Sequence, residues 1–167
     1  MGRKLLIVGA GAYSYVVYEI AVETGIFEKI DFLDDGKAFA PNGSAVLGKI
    51  SSIEDFAADY TDCIIAIGNA EVRLALVERV LRNTELNLCS LISQRAYVAP
   101  SATIGAGVVI EPMAVVQSGA RIGNGTLISS GAVVNHNAVV EEACHVDCNF
   151  VVSSGEVVFK KTKKTLT

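Results

Sequence analysis

Half of this 167-residue sequence is hydrophobic (51%), yet no uncharged apolar run approaches the 18 or more residues that a membrane span requires. No secretory leader is expected, because Arg3 and Lys4 precede a strand-length apolar run that passes into a glycine turn, not a cleavage site. Only four cysteines occur, Cys63, Cys89, Cys144 and Cys148. They sit in apolar or repetitive surroundings without the spacing of a disulfide framework, so the expected compartment is a reducing cytoplasm. Charge is sparse and unevenly placed. Residues 1–90 carry 8 Lys and Arg against 13 Asp and Glu, residues 91–159 carry 2 against 5, and the last eight residues hold four lysines. An acidic body with a net charge of −4 offers no surface for nucleic acid. Histidine is scarcer still. His136 and His145 are the only two, so chemistry that needs an imidazole is confined to them.

What the chain does have is a strict aliphatic period. From Val98 through Ile104, Ile110 and Val116 to Val158, every sixth residue is Val or Ile, and Ile92 with Ala96 opens the series one unit earlier. Four positions after the aliphatic residue the chain usually carries something small, as at Ala102, Ala114, Ala120, Thr126, Ala132, Ala138 and Cys144. A fixed short period means one structural unit stacked on itself. The large and the small position are two residues apart, so in an extended strand both point to one side. Each unit is then a short strand with one large and one small inward side chain, followed by a corner. Three such strands close a triangular coil, and coils stack at the inter-strand spacing of about 4.8 Å. Residues 92–158 therefore resemble the left-handed parallel β-helix of the hexapeptide acyltransferase family.

The first 90 residues read differently. Lys4–Val8 is a buried-strand run, Gly9-Ala10-Gly11 a turn, and Ser14 to Thr24 a helix that Gly25 ends. Lys29–Leu33 and Cys63–Ile67 are further strands, and Ser52 to Asp55 is the capped start of a short helix. Glu71 to Arg82 has the apolar spacing of a surface helix. Strand–helix alternation implies a small parallel sheet. The expected architecture is an α/β, Rossmann-like domain at 1–90, a left-handed parallel β-helix at 91–159 and a basic tail at 160–167.

Three features of the first domain can meet a ligand. Gly9-x-Gly11-x-x-Ser14 lets the backbone approach a phosphate at a helix N-terminus, although it lacks the third glycine of the dinucleotide fingerprint and is also compatible with an ordinary tight turn. Asp34 and Asp35 stand at the end of the second strand, where a carboxylate can accept from ribose hydroxyls or a base N–H, or simply form a solvated turn. Gly68-Asn69 ends the third strand on the same edge. These segments, with Arg73 and then the hexads, resemble the sialic-acid O-acetyltransferase and bacillosamine N-acetyltransferase group. The resemblance implies that Gly9, Gly11, Asp34, Asp35, Gly68 and Asn69 hold a UDP-sugar. Where that group has Gly-His after the glycines, this chain has Ala12-Tyr13.

Acetyl transfer from a thioester needs a base and an oxyanion donor, and histidine titrates near neutral pH. His136 follows inward Val134 by two places, at a corner, and His145 precedes inward Val146 and points outward. The resemblance makes His136 the catalytic base, with Asn137 in the place of a usual Asp or Glu, and His145 a residue near the acyl donor. An amide orients an imidazole without stabilising imidazolium as a carboxylate does, and Glu141 or Glu142 is a possible substitute. The two histidines are nine residues apart, half a coil of 18, so they meet only across neighbouring prisms, and a homotrimer is expected. Cys144-His145-x-x-Cys148 does not read as a metal site, because Cys144 takes the small inward position and His145 faces out. Phe150 and Glu156 break the small-residue rule, and eleven units make fewer than four coils where the resembling enzymes continue. The expected function is acetyl-CoA-dependent acetylation of a UDP-linked amino sugar in bacterial surface-glycan synthesis. The rival is a non-catalytic sugar-nucleotide-binding or scaffold protein of the same fold. A serine-type acyltransferase would leave Asp34-Asp35 and Gly68-Asn69 without a role.

Overall fold

The computed structural model describes residues 2–165, in two compact units, Met1–Cys89 and Ser90–Thr167. The first unit is a four-stranded parallel sheet of β1 (Arg3–Val8), β2 (Phe27–Leu33), β3 (Asp62–Ile65) and β4 (Asn87–Leu88), in the order β2-β1-β3-β4. Leu5 to Val8 and Cys63 to Ile65 are fully buried, which is why β1 and β3 read as unbroken apolar runs and not as alternation. The chain runs outward from β1 to β2, then returns to the other side of β1 for β3. The crevice between the ends of β1 and β3 is thus the topological switch point, where open parallel sheets bind ligands. Helix α1 (Ala12–Thr24) stops at Gly25, whose φ of 66° supplies a left-handed cap. The short α2 (Ile53–Phe56) precedes β3, and α3 (Ala70–Asn83) starts at Asn69, whose side chain accepts the Val72 N–H at 3.0 Å.

Two features of this unit go beyond the strands and helices read from the sequence. β4 completes the sheet. Asp62, fully buried, ties three strands together by accepting from Arg3 of β1 (2.9 Å to Nε) and Asn87 of β4 (2.6 Å). The loop after β2 is a hairpin. Phe39 and Ala45 pair antiparallel, and the returning arm runs beside β2, with Leu47 N–H on the Phe32 carbonyl (2.9 Å) and Asp34 N–H on the Gly48 carbonyl (3.0 Å).

The second unit is the left-handed parallel β-helix. Two-residue strands from Leu91–Ile92 to Lys163–Lys164 form three parallel sheets of four, five and four strands, with partners 18 residues apart, as in Leu127 with Val109 and His145. Ile110, Val116, Ile128, Val134, Val140, Val146 and Val152 fill the interior together with Ala114, Ala120, Ala132, Ala138 and Cys144. The corners have a period of their own. From Gly107 to Lys161 every sixth residue has φ between 53° and 71°, and five of these ten are not glycine: Met113, Asn137, Ala143, Asn149 and Lys161. Hydrogen bonds to the coils before and after hold these residues in a conformation that normally costs an L-residue about 1–2 kcal/mol. Gly105 and Gly123 meet a different need. A Cβ at Gly123 would lie 2.6 Å from the Glu142 nitrogen, so only glycine lets this corner stack on the next coil.

The chain end departs from the expected tail at 160–167. Lys163–Lys164 pairs with His145–Val146 as a further strand, and Lys164 takes the inward register that an aliphatic residue holds elsewhere. It forms an ion pair with Glu156, in the small position, at 2.8 Å. A polar pair thus replaces the apolar one in the last described coil, and the aliphatic pattern hides this unit from the sequence. Leu166 and Thr167 lie outside the described residues.

Candidate functional site

At the switch point of the first unit, Gly9 is fixed by packing. Its φ is 109° and a Cβ there would lie 2.9 Å from the Ala66 carbonyl oxygen, so the ends of β1 and β3 touch. Gly11 and Gly68 are different. Gly11 has an ordinary φ of −78°, and a Cβ at either glycine would meet nothing within 4 Å. Neither neighbours nor, at Gly11, conformation demands a glycine; what the missing side chains leave is access to backbone. Ser14, where the third glycine of the fingerprint would stand, is fully buried and bonds the Gly11 carbonyl at 2.6 Å, bracing the turn. Ala12 is exposed and Tyr13 half-buried at the start of α1.

The fully buried Arg73 organises the other side of the crevice. Its Nη1 donates to the Ile67 carbonyl (2.8 Å) and the Gly68 carbonyl (2.7 Å). A trans peptide points its C=O and the following N–H in opposite directions. Drawing both carbonyls inward therefore turns the N–H groups of Gly68 and Asn69 outward, toward the open edge. The resemblance had brought Arg73 into view without giving it this role.

Asp34 spends both carboxylate oxygens, and Asp35 one, on backbone amides. Asp34 Oδ2 accepts the Ala10 N–H at 2.7 Å, and Oδ1 accepts those of Gly36 and Lys37 at 2.8 Å each. Burial alone would raise its pKa, but the amides of Ala10, Gly36 and Lys37 outweigh burial and hold it below the ordinary aspartate value. Asp35 is exposed and accepts the Ile50 N–H at 3.0 Å. The pair joins the glycine turn after β1 to both roots of the hairpin at 37–48.

In the second unit His136 is exposed at the corner after Val133–Val134. Its Nδ1 lies 3.1 Å from Asn137 Nδ2 and 3.3 Å from Ser154 Oγ. With the amide NH₂ donating, Nδ1 accepts; with the amide turned over, its oxygen accepts from Nδ1–H instead. Ser154 stands 18 residues after His136, at the same corner of the next coil, and could have been found by adding one coil length. His145 lies in the strand His145–Val146, with Nε2 2.9 Å from the hydroxyl of buried Ser129 and 4.0 Å from Asp147 Oδ1. Asp147 is pulled below the ordinary aspartate range by the Cys148 N–H and then by Lys163. Ser129 is 16 residues from His145, an offset that no strand register suggests.

Glu141 and Glu142 do not replace the missing carboxylate beside His136. Glu141 accepts the Lys160 N–H at 2.9 Å, and Glu142 pairs with the Lys160 ammonium at 2.9 Å. Cys144 is buried with its thiol 3.0 Å from the Phe159 carbonyl, whereas Cys148 is exposed. The strands Arg121–Ile122 and Val139–Val140 form the flank that follows the His136 corner. A groove of about 460 Å³ lies on it, lined by Arg121 and Lys160 together with Glu141 and Glu142. Among the described residues no helix is long and apolar enough to cross a membrane.

Comparison with known proteins matches both units. Residues 4–80 match the PglD N-terminal domain family. The acetyltransferase domain of PglB from Neisseria gonorrhoeae FA1090 is 29% identical, with a TM-score of 0.83 over 97% of this chain and 85% of that one. The same domain in complex with acetyl coenzyme A is 28% identical over 98% and 85%, also at a TM-score of 0.83. A mutant of perosamine N-acetyltransferase from Caulobacter crescentus, in complex with CoA and GDP-perosamine, is 25% identical, with a TM-score of 0.89 over 96% of this chain and 76% of that one.

Proposed function

We propose that the chain is an acyltransferase that uses acetyl-CoA to acetylate the amine of a nucleotide-linked sugar, a reading supported by the PglD N-terminal domain match over residues 4–80 and by the similarity to sugar-acetyltransferase structures over 96–98% of its length. Uridine is the base and surface-glycan synthesis the setting that our reading favours. The first unit binds the sugar nucleotide. Gly9 and Gly11 offer backbone to its phosphates at the start of α1, Gly68 and Asn69 offer the N–H groups that Arg73 turns outward, and Asp34 and Asp35 shape the edge. Acetyl-CoA supplies the acetyl group as a thioester. His145, held by Ser129, stands near the donor, and the groove beside Arg121 and Lys160 suits its extended arm in size.

His136 carries the reading: an exposed imidazole with Nδ1 held by two neighbours and no partner for Nε2 among the described residues. As base, Nε2 takes the proton of the attacking amine, and that proton is then available to the departing thiol. For Nε2 to accept, the ring must carry its own proton on Nδ1, and Asn137 serves this form by turning its amide oxygen inward. A trimer completes the site. One flank carries an outward apolar ladder of Tyr97, Val115, Val133 and Val151, with Tyr97 57% and Val151 51% exposed, a surface suited to a neighbouring prism.

Calorimetry with a UDP-linked amino sugar and, separately, with acetyl-CoA tests the proposal, followed by a transfer assay. Both ligands should bind. His136→Ala should lower turnover by about 10²–10⁴-fold with little change in binding, because a base acts mainly in the transition state. Sugar-nucleotide binding without acetyl-CoA binding or transfer would select the non-catalytic rival. Light scattering that reports a monomer would remove the shared site.

A further inference from the structure

Asp34 and Asp35 spend carboxylate oxygens on backbone amides at the two roots of the hairpin at 37–48, and what this braced hairpin holds out is an apolar face. Phe39 and Ala45 are cross-strand partners, and Leu47, two residues on, lies on the same side. Phe39 is 69% and Leu47 40% exposed. On the opposite side Ala40 is buried and Val46 half-buried. The fold thus buries one face of the hairpin and leaves its only aromatic ring in water, with Lys37 and Lys49 exposed at the roots.

The place of the ring gives it a use. The Lys37 amide and the Ala10 amide bond opposite oxygens of the same Asp34 carboxylate, and Phe39 follows Lys37 by two residues, at most about 7 Å of extended chain. Phe39 therefore lies within roughly 15 Å of the Gly9–Gly11 turn, adding that span to two hydrogen-bond lengths and a carboxylate. It stands on the edge where the β1 and β3 ends open. We propose that Phe39, with Leu47 beside it, is the platform on which the base of the sugar nucleotide stacks. This deepens the reading of the first unit as a sugar-nucleotide site and rests on it. Every base has a π face, so such a platform contributes affinity without choosing between uracil and guanine. Selection of the base then falls to groups at its edge.

The chain has no tryptophan, so Phe39→Trp introduces a single fluorophore at the platform. Its emission should be quenched saturably by UDP and by GDP, at the concentrations where calorimetry reports binding, and left unchanged by an amino sugar without a nucleotide. Phe39→Ala, at an exposed position, should melt as wild type does, lose about 5- to 100-fold in sugar-nucleotide affinity and keep its affinity for acetyl-CoA. The proposal is overturned if Phe39→Ala binds the sugar nucleotide as tightly as wild type. It also falls if the tryptophan is silent at saturating nucleotide, or is quenched by acetyl-CoA and not by UDP or GDP. A wild-type protein that binds no sugar nucleotide in the calorimeter would instead end the reading of the whole first unit, and the platform with it.

Discussion

Asp34→Asn is the sharpest perturbation of the first unit, because it keeps the shape of the side chain and changes only what it can accept. In the wild type one carboxylate oxygen takes the Ala10 N–H at 2.7 Å, and the other takes two amides at 2.8 Å. Ala10 is only 4% exposed, so a group that cannot accept there leaves a buried donor without a partner. That loss costs about 1–3 kcal/mol. Asparagine can keep its oxygen toward Gly36 and Lys37, but then its NH₂ faces the Ala10 N–H, donor against donor. Turning the amide over abandons the other two bonds. Either way the expected loss is about 2 kcal/mol, and about 2–4 kcal/mol for Asp34→Ala, since the Gly36 and Lys37 amides are exposed and regain water. For a unit of this size 1 kcal/mol moves Tm by about 4–8 °C, so scanning calorimetry should show a fall of roughly 10–15 °C for Asp34→Asn. Asp35→Ala gives up one exposed bond, to Ile50, and should lose less than about 1 kcal/mol. The folded Asp34 carboxyl is held below its ordinary value of 3.8, so its contribution is complete above that pH and lost as pH falls through the folded value. The gap between wild type and Asp34→Asn should therefore narrow in acid. An Asp34→Asn protein that melts within about 2 °C of wild type yet fails to bind the sugar nucleotide would refute this reasoning and return Asp34 to direct ligand contact.

Gly123→Ala places a methyl group 2.6 Å from the Glu142 nitrogen and should destabilise the β-helix by about 1–3 kcal/mol, read by urea melts of the second unit. Buried Asp62 gives a second pH test: burial would raise its pKa, but Arg3, then Thr61 and Asn87, hold it below 3.8. Its stabilisation is present above that value and lost below it, so wild type should lose stability more steeply than Asp62→Asn as pH falls below about 4.

The β-helix is written in the sequence because the prism has fixed width. Each inward position accepts one size of side chain, so the six-residue period survives in the letters themselves. The corners are less legible. Their left-handed residues recur just as regularly, but three of ten, Met113, Ala143 and Lys161, are not residues that announce such a φ; the hydrogen bonds of neighbouring coils hold them there. The last unit was hidden for the opposite reason. Lys164 and Glu156 fit the inward register only as an ion pair, and charge at an inward position reads as the end of the repeat. In the first unit strands, glycines and aspartates were all in view, but not which donors the aspartates would serve. Asp-Asp-Gly at a strand end looks the same whether its carboxylates meet a ribose or the amides of Ala10, Gly36 and Lys37. The partners come from a turn and a hairpin that meet only in the folded chain.

Asn137 brings both kinds of constraint to one residue. Its φ of 59° places it in the corner series, where asparagine is among the residues that tolerate a left-handed backbone, and its side chain reaches the imidazole of His136. The backbone alone accounts for an asparagine here; aspartate would tolerate the corner as well and serve the base better. A carboxylate accepts from Nδ1–H whichever way it turns, so it fixes the tautomer with Nε2 free to take a proton, and it stabilises the imidazolium that forms. Asparagine does the first only with its oxygen inward and the second hardly at all. Asn137→Asp should therefore raise turnover, by up to about tenfold if the gain in imidazolium stabilisation is about 1.4 kcal/mol, with unchanged KM for both substrates and an unchanged melt. Asn137→Ala, which removes the inward oxygen, should lower turnover, and Asn137→Gly should do the same with the corner relaxed. If Asn137→Asp is slower than wild type while Asn137→Gly matches it, residue 137 serves only the turn of the coil, and the orientation of His136 must come from Ser154 alone.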